Sequence, residues 1–216
     1  MAIAFFDLDR TLLSVNAGEL WMRAELREGH ITRWQATKAA MYIAGYHFGF
    51  SGMEGAIHEA IATLAGKPES DIVERTERFY AREVHDVYRP RAREVVAAHR
   101  ARGDVLALLS SSSMYLARPV GQELGLDHLL CNQFEVVDRR FTGKPQGGLC
   151  FGKGKVTHAR GLAERLNERL EDATFYTDSY SDLPVLEMVG RPVAVHPDPR
   201  LARTARARKW EIADWG

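Results

Sequence analysis

Cysteine is scarce in this sequence: Cys131 and Cys150 are its only two. Two thiols in 216 residues do not make a disulfide-stapled secreted scaffold, and they point instead to a reducing compartment, the cytoplasm. Net charge is lacking too. Lysine plus arginine number 29 and aspartate plus glutamate 29, so no polyanion partner such as nucleic acid is implied. The arginine-rich stretch 200–209 reads as the solvated face of a helix. No run reaches the ~18 apolar residues that would suggest a membrane span. The nearest, residues 36–50, is interrupted by Lys38 and His47. No basic segment precedes an apolar one at the N-terminus, where a strand-like run begins almost at Met1, so a cleaved signal is not expected. Internal repeats and low-complexity linkers are also missing.

What remains is an ordinary globular composition, 45% apolar and 27% charged, long enough for one α/β domain or for a core of about 140 residues carrying an insertion. The apolar run Ile3-Ala4-Phe5-Phe6 reads as a buried strand. Helical spacing follows over 17–28 and 31–47 (Leu20, Ala24; Ala40, Ile43, Ala44). Ser51-Gly52-Met53-Glu54 resembles a capping box opening a helix over 53–65, and a fourth helix is expected over 69–86. Pro90 suits the first turn of another, to about residue 102. Strands are then expected at 104–109, 129–137, 173–176, 192–196 and 210–212, with helices at 112–124, 153–170, 183–189 and 198–208. Asp138-Arg139-Arg140 reads as a hairpin turn. This organisation puts an all-helical block, 14–88, inside an α/β core made of 1–13 and 89–216.

The first strand runs directly into Asp7 and Asp9, with Thr11 after them. Two neighbouring acids at the end of a buried strand are costly, and a cation and a reaction would account for them. Strand carboxyl ends are also where open α/β sheets bind ligands. The plain alternative is a strand ending in a polar turn. Three further pieces argue against it. Residues 105–109 lead into Ser110-Ser111-Ser112-Ser113, a place for a hydroxyl and backbone N–H groups to hold an anion, or simply for a serine to cap a helix. Lys153 and Lys155 open a helix, where positive charge opposes the dipole unless an anion is near; a solvated surface lysine is the plain reading. Asp178 and Asp182 follow another strand; Asp182 could cap the next helix, whereas Asp178 has no such structural role. Oxygen ligands without a His or Cys cluster favour Mg²⁺ over zinc. Acids, a metal, a lysine and backbone N–H groups together suit phosphoryl transfer.

In this order the four pieces resemble the signature of the haloacid dehalogenase-like hydrolases, and within them the phosphoserine-phosphatase-like branch (subfamily IB), over nearly the whole chain. The resemblance implies a Rossmann-like, mostly parallel sheet with an inserted helical cap of the C1 type. It implies a Mg²⁺-dependent phosphatase of a small phosphomonoester that works through an aspartyl-phosphate. Asp7 would be the nucleophile. Asp9 would protonate the leaving alcohol and then activate water. The metal would be held by Asp7, the carbonyl of Asp9 and Asp178, with Asp182 binding it directly or orienting its water. Ser110, the Ser111 N–H and Lys155 would hold the phosphoryl oxygens, the register from lysine to first late acid favouring Lys155 over Lys153.

Two positions depart from the branch. Arg10 stands where a small residue is usual. Phosphoserine phosphatases of the branch carry an acid near position 16 and an arginine in the third cap helix to read the substrate's ammonium and carboxylate. Here position 16 is Asn16, Glu19 lies nearby, and 53–65 holds His58 but no arginine. Asn16, Glu19 and His58 are therefore the expected specificity residues, and a phosphomonoester without a carboxylate, such as histidinol phosphate, is favoured over phosphoserine. Two other readings remain: transfer to an acceptor other than water, and a membrane-surface or partner-binding role for the aromatic-rich 36–50 stretch.

Overall fold

The computed structural model describes residues 2–38 and 53–216. Ser51 and Gly52 of the capping box proposed at 51–54, and most of the aromatic stretch 36–50, lie outside those residues. Strand β1, Ile3–Phe6, is buried throughout, as a continuous apolar run requires when both faces of a sheet are covered. It forms the centre of a six-stranded sheet in the order β3-β2-β1-β6-β7-β8. The flanking strands are β2 (Val105–Ser113), β3 (His128–Asn132), β6 (Thr174–Thr177), β7 (Arg191–Val195) and β8 (Glu211–Ala213). Every pairing within this sheet is parallel. Parallel neighbours need crossovers, and helices supply them.

Side-chain alternation splits the core into two layers. Ala4, Phe6, Leu106, Leu108, Val193 and Val195 face one side, against helices α4 (Ala92–Ala101) and α5 (Met114–Leu124). Ile3, Phe5, Ala107, Leu109, Phe175 and Ala194 face the other, against α6 (Lys153–Leu166), α7 (Leu183–Leu186) and α8 (Pro199–Arg208). Burying each of Phe5, Phe6 and Phe175 contributes about 1.5–3 kcal/mol. Register then places the chemistry. Phe6 lies beside Leu108 and beside Tyr176, so Asp7, the serines after Leu109, and Asp178 emerge at one edge of the sheet.

Between β1 and β2 come helices α1 (Ala17–Arg27), α2 (Met53–Ala62) and α3 (Glu69–Phe79), with residues 33–38 also helical. Past Phe79 the chain makes one wider turn over Tyr80–Val84, closed by the His85 N–H on the Tyr80 carbonyl at 2.9 Å. Among the described residues no helix is long and apolar enough to cross a membrane.

Three expectations change. The strand expected over 104–109 continues through all four serines to Ser113, past a break in its pairing with β3 between Leu109 and Ser113. Serine carries little strand signal, so the run reads as the loop it is not. The single strand expected over 129–137 is two: β3 ends at Asn132, and β4 (Phe134–Val137) pairs antiparallel with β5 (Arg140–Pro145) outside the main sheet. The helix expected to reach 170 stops at Leu166, where Asn167 takes a left-handed cap with φ 54°.

The turn at 138–140 is where the sequence places it. Asp138 and Arg139 have φ 50° and 61°, the conformation of a two-residue hairpin turn whose twist matches its strands. The hairpin docks on the helical insert. The Gly66 N–H reaches the Phe141 carbonyl at 2.8 Å, the Phe141 N–H the Lys67 carbonyl at 3.0 Å, and the Glu69 N–H the Arg139 carbonyl at 2.9 Å. Phe141 also packs with Ile72 and Tyr115.

Candidate active site

The loop after β1 is held by its neighbours. The Asp7 N–H donates to the Tyr176 carbonyl at 2.9 Å, continuing the sheet by one bond. Arg10 adopts a left-handed φ of 56°, and its carbonyl accepts from Arg89 Nε at 3.1 Å. Thr11 is fully buried, and its Oγ1 accepts the Asp178 N–H at 2.9 Å, tying the β1 loop to the β6 loop.

Lys155 lies at the centre. It sits in the first turn of α6 and is buried, as the anion reading of the helix start requires, whereas Lys153 is exposed. Its Nζ donates to Asp7 Oδ1 at 2.8 Å and to Asp182 Oδ2 at 2.7 Å. Thr177 Oγ1 donates to the same Asp182 oxygen at 2.7 Å. Burial opposes the lysine's charge, but Asp182 and Asp7 outweigh it and raise its pKa. Glycines make the turn possible. Gly152 has φ 51° and ψ −119°, and a Cβ on Gly154 would lie 1.9 Å from the Leu149 carbonyl oxygen.

The acids are crowded. Burial, reinforced by Asp182 and Asp9 and opposed by Lys155, pushes Asp7 up to about 7. Burial, with Asp7, Asp182 and Asp9 adding to it, pushes Asp178 to about 8. Asp9 is also raised by burial, against the Ala17 N–H, which donates to its Oδ1 at 2.6 Å. That bond joins Asp9 to the first residue of α1.

Ser110 is fully buried, and its Oγ accepts the Ser112 N–H at 3.2 Å. Helix capping falls to Ser113, whose Oγ accepts from Leu116 N–H at 3.4 Å, and not to Ser110 or Ser111. Two of the expected specificity residues, Asn16 and Glu19, have local partners. Asn16 Oδ1 caps α1 through the Glu19 N–H at 2.9 Å. Glu19 pairs with Arg10 Nη2 at 3.1 Å. His58 is exposed on α2. Two contributors carried no sequence signal of their own, Arg89 and Asn132. Asn132 is the last residue of β3 and hides inside the strand expected over 129–137.

The donor set fits a hard cation. Among the described residues, Asp182 Oδ1 is buried without a hydrogen-bond partner, an orphaned carboxylate oxygen. Mutual repulsion among Asp7, Asp9, Asp178 and Asp182 is what a divalent cation relieves. Among the described residues no three His, Cys, Asp or Glu side chains already converge as a metal cage. Mg²⁺ does not demand one, because it keeps several waters and takes one or two carboxylates.

A parallel sheet with acids, a buried lysine and a serine at its carboxyl edge defines an enzyme of the hydrolase type built on an α/β core. The chain belongs to the haloacid dehalogenase-like hydrolases, whose family model matches residues 4–187. It is 33% identical over 220 residues to phosphoserine phosphatase SerB1 of Mycobacterium tuberculosis, covering 99% of this chain and 71% of that protein. It is 28% identical to the histidinol-phosphatase of Neisseria meningitidis serogroup C, over 99% of this chain and 98% of that one. A crystal structure of a protein of unknown function from Bordetella pertussis Tohama I superposes with a TM-score of 0.90 at 30% identity, covering 100% of this chain and 99% of that one.

Proposed function

We propose that the protein is a Mg²⁺-dependent phosphatase of a small phosphomonoester, working through a phosphorylated Asp7. The observation that carries this is the buried bridge from Lys155 to Asp7 and Asp182 at the sheet's carboxyl edge. Lys155 holds Asp7 Oδ1, which leaves Oδ2 to attack phosphorus. The bond from phosphorus to the leaving oxygen breaks as the bond to Asp7 forms. Asp9, whose pKa burial raises, delivers its proton to the leaving oxygen. Ala17 N–H occupies Asp9 Oδ1, so Oδ2 carries that proton. Asp9 then takes a proton from water, the water oxygen attacks phosphorus, and orthophosphate leaves with Asp7 restored as a carboxylate.

Asp7, Asp178, Asp182 and the Asp9 carbonyl would hold Mg²⁺, with Asp182 holding it directly or orienting its water. When bound, the ion screens the repulsion between a carboxylate nucleophile and a phosphate dianion. Ser110 and the Ser111 N–H, with Lys155, hold the phosphoryl oxygens. The two buried thiols, both free, support a reducing, cytoplasmic setting.

Residues 14–88 form the cap, and 1–13 with 89–216 the catalytic core. The two crossings support this division by lying side by side: the Ser14 N–H reaches the Val87 carbonyl and the Arg89 N–H the Leu12 carbonyl, both at 2.9 Å. The cap reads the leaving group through Asn16, Glu19 and His58. Among the described residues, Arg75, a half-buried arginine of the insert, is already paired with Glu25, and Arg10 with Glu19. Neither of these two guanidiniums is free to take a substrate carboxylate, which supports histidinol phosphate or another carboxylate-free ester over phosphoserine. The test is kcat/KM for phosphoserine, histidinol phosphate, phosphocholine and sugar phosphates in Mg²⁺ buffer. A carboxylate-free ester should lead. Phosphoserine in first place refutes the substrate reading, and no phosphate release from any ester refutes the reaction.

A further inference from the structure

Strand β3 ends in a polar residue that the reaction above does not use. Asn132 is only 2% exposed. Its Nδ2 donates to the Ser111 carbonyl at 2.6 Å, and its Oδ1 accepts the Cys150 N–H at 2.8 Å. These contacts reach 21 residues back and 18 forward along the chain. One leads to the serines that end β2 and the other to the turn that carries Lys155.

The Ser111–Ser112 peptide is gripped at both ends. Asn132 takes its carbonyl, and Ser110 Oγ takes its N–H at 3.2 Å. The route from Cys150 to Lys155 is a series of tight turns. Gly154 N–H bonds the Phe151 carbonyl at 2.8 Å, and Lys155 N–H bonds the Gly152 carbonyl at 3.2 Å. Gly154 is pressed on the Leu149 carbonyl. An anchor at Cys150 therefore sets where the lysine's helix begins. Filling the end of β3 needs only bulk, which leucine would supply without burying an amide. A buried amide costs stability unless its bonds are made, and here each joins a different piece of the site.

We propose that Asn132 is a positioning residue, fixing the separation between the serine side and the lysine side of the phosphoryl cradle. The inference rests on the phosphatase reading and deepens it. Asn132 touches neither substrate nor reacting atoms. It acts on the part of the substrate common to every phosphomonoester and leaves discrimination among leaving groups to the cap.

The experiment uses the full chain with Mg²⁺ and compares wild type, Asn132→Ala, Asn132→Asp and Leu129→Ala. Asn132→Ala removes both bonds. Asn132→Asp keeps the acceptor for Cys150 but sets an oxygen against the Ser111 carbonyl. Leu129→Ala truncates a side chain on the same strand, packed against Gly121, and serves as the control for destabilisation alone. The readouts are orthophosphate affinity by calorimetry, melting temperature, and kcat/KM on two phosphomonoesters with unlike leaving groups. Both Asn132 variants should weaken orthophosphate binding about tenfold or more, the scale expected for a misplaced binding group. They should lower kcat/KM by similar factors on both esters. Leu129→Ala should hold orthophosphate affinity within about twofold even where its melting temperature falls as far. Wild-type orthophosphate affinity in Asn132→Asp or Asn132→Ala overturns the proposal. So does a loss confined to one ester, or an equal loss of affinity in Leu129→Ala. Orthophosphate binding is read without turnover, so it decides the role of Asn132 even if no ester proved a substrate, a result that would count against the phosphatase reading alone.

Discussion

One ammonium group serves two carboxylates at the heart of the site. Lys155 cannot be neutral there, because Asp7 and Asp182 both hold its charge. Asp7→Asn should therefore fold, since amide and carboxylate share a shape, yet lose several orders of magnitude in kcat, and at least about a hundredfold. Folded Asp7→Asn above about a hundredth of wild-type turnover assigns the nucleophile elsewhere. Acidity offers a second check. Asp178 is pushed to about 8 and Asp7 to about 7, well above the unfolded value of about 4. A carboxyl raised in the folded state contributes stability below its unfolded pKa and loses it as pH rises through the folded value. Without metal, this contribution should therefore fall from about pH 4 to pH 8. Protons also compete with Mg²⁺ for these oxygens. Added MgCl₂ should raise the melting temperature more at pH 8 than at pH 6; an equal or larger shift at pH 6 contradicts the assignment. These acids were legible in the sequence because they interrupt apolar runs. Asn132 was not, since an amide inside an apparent strand carries no comparable signal.

Elements were legible where their patterns were strong. Ile3–Phe6 could be little other than a buried strand, and the helix patterns at 17–28 and 153–170 needed only trimming at their ends. The serine run failed as a strand signal because serine carries little strand propensity, and its one register partner on β3, Asn132 beside Ser113, is distant in sequence. The hairpin was half legible: its turn announced itself, while its first strand merged with β3. That turn gives a prediction of its own. Arg139 holds φ 61°, a conformation glycine adopts without strain, while the Glu69 N–H needs only the Arg139 backbone. Arg139→Gly should stabilise the protein by about 0.5–1 kcal/mol in urea unfolding. A clear loss would show that the arginine side chain, and not the turn geometry, holds the hairpin. Phe141→Ala should act in the opposite sense, costing about 3–5 kcal/mol, because it empties the contact among Ile72, Tyr115 and Phe141. A cost below about 1 kcal/mol would mean that the hairpin rests on its backbone bonds alone.

For the whole molecule, parallel strands and crossover helices were legible as a class, but their order was not. Strand order depends on which apolar faces meet, and β1, β2, β6 and β7 are each apolar enough to meet any of the others. The docking of the β4–β5 hairpin on the helical insert was likewise invisible, since its bonds join residues 66–69 to 139–141. It means that the insert is tied to the core at the hairpin as well as at its paired crossings. The division of labour proposed here follows from that architecture: the sheet edge handles the phosphoryl group common to all candidate substrates, and the insert meets the rest. The central claim is the covalent step on Asp7, and acid-quenched turnover tests it most directly. Enzyme, Mg²⁺ and a phosphomonoester are mixed, quenched in acid within the first turnover, digested and examined by mass spectrometry. A phosphoryl group on the peptide bearing Asp7, absent in Asp7→Asn and lost on incubation in neutral buffer, is the predicted result. A phosphoryl group on any other residue, or orthophosphate released in full with none ever carried by Asp7, contradicts the account.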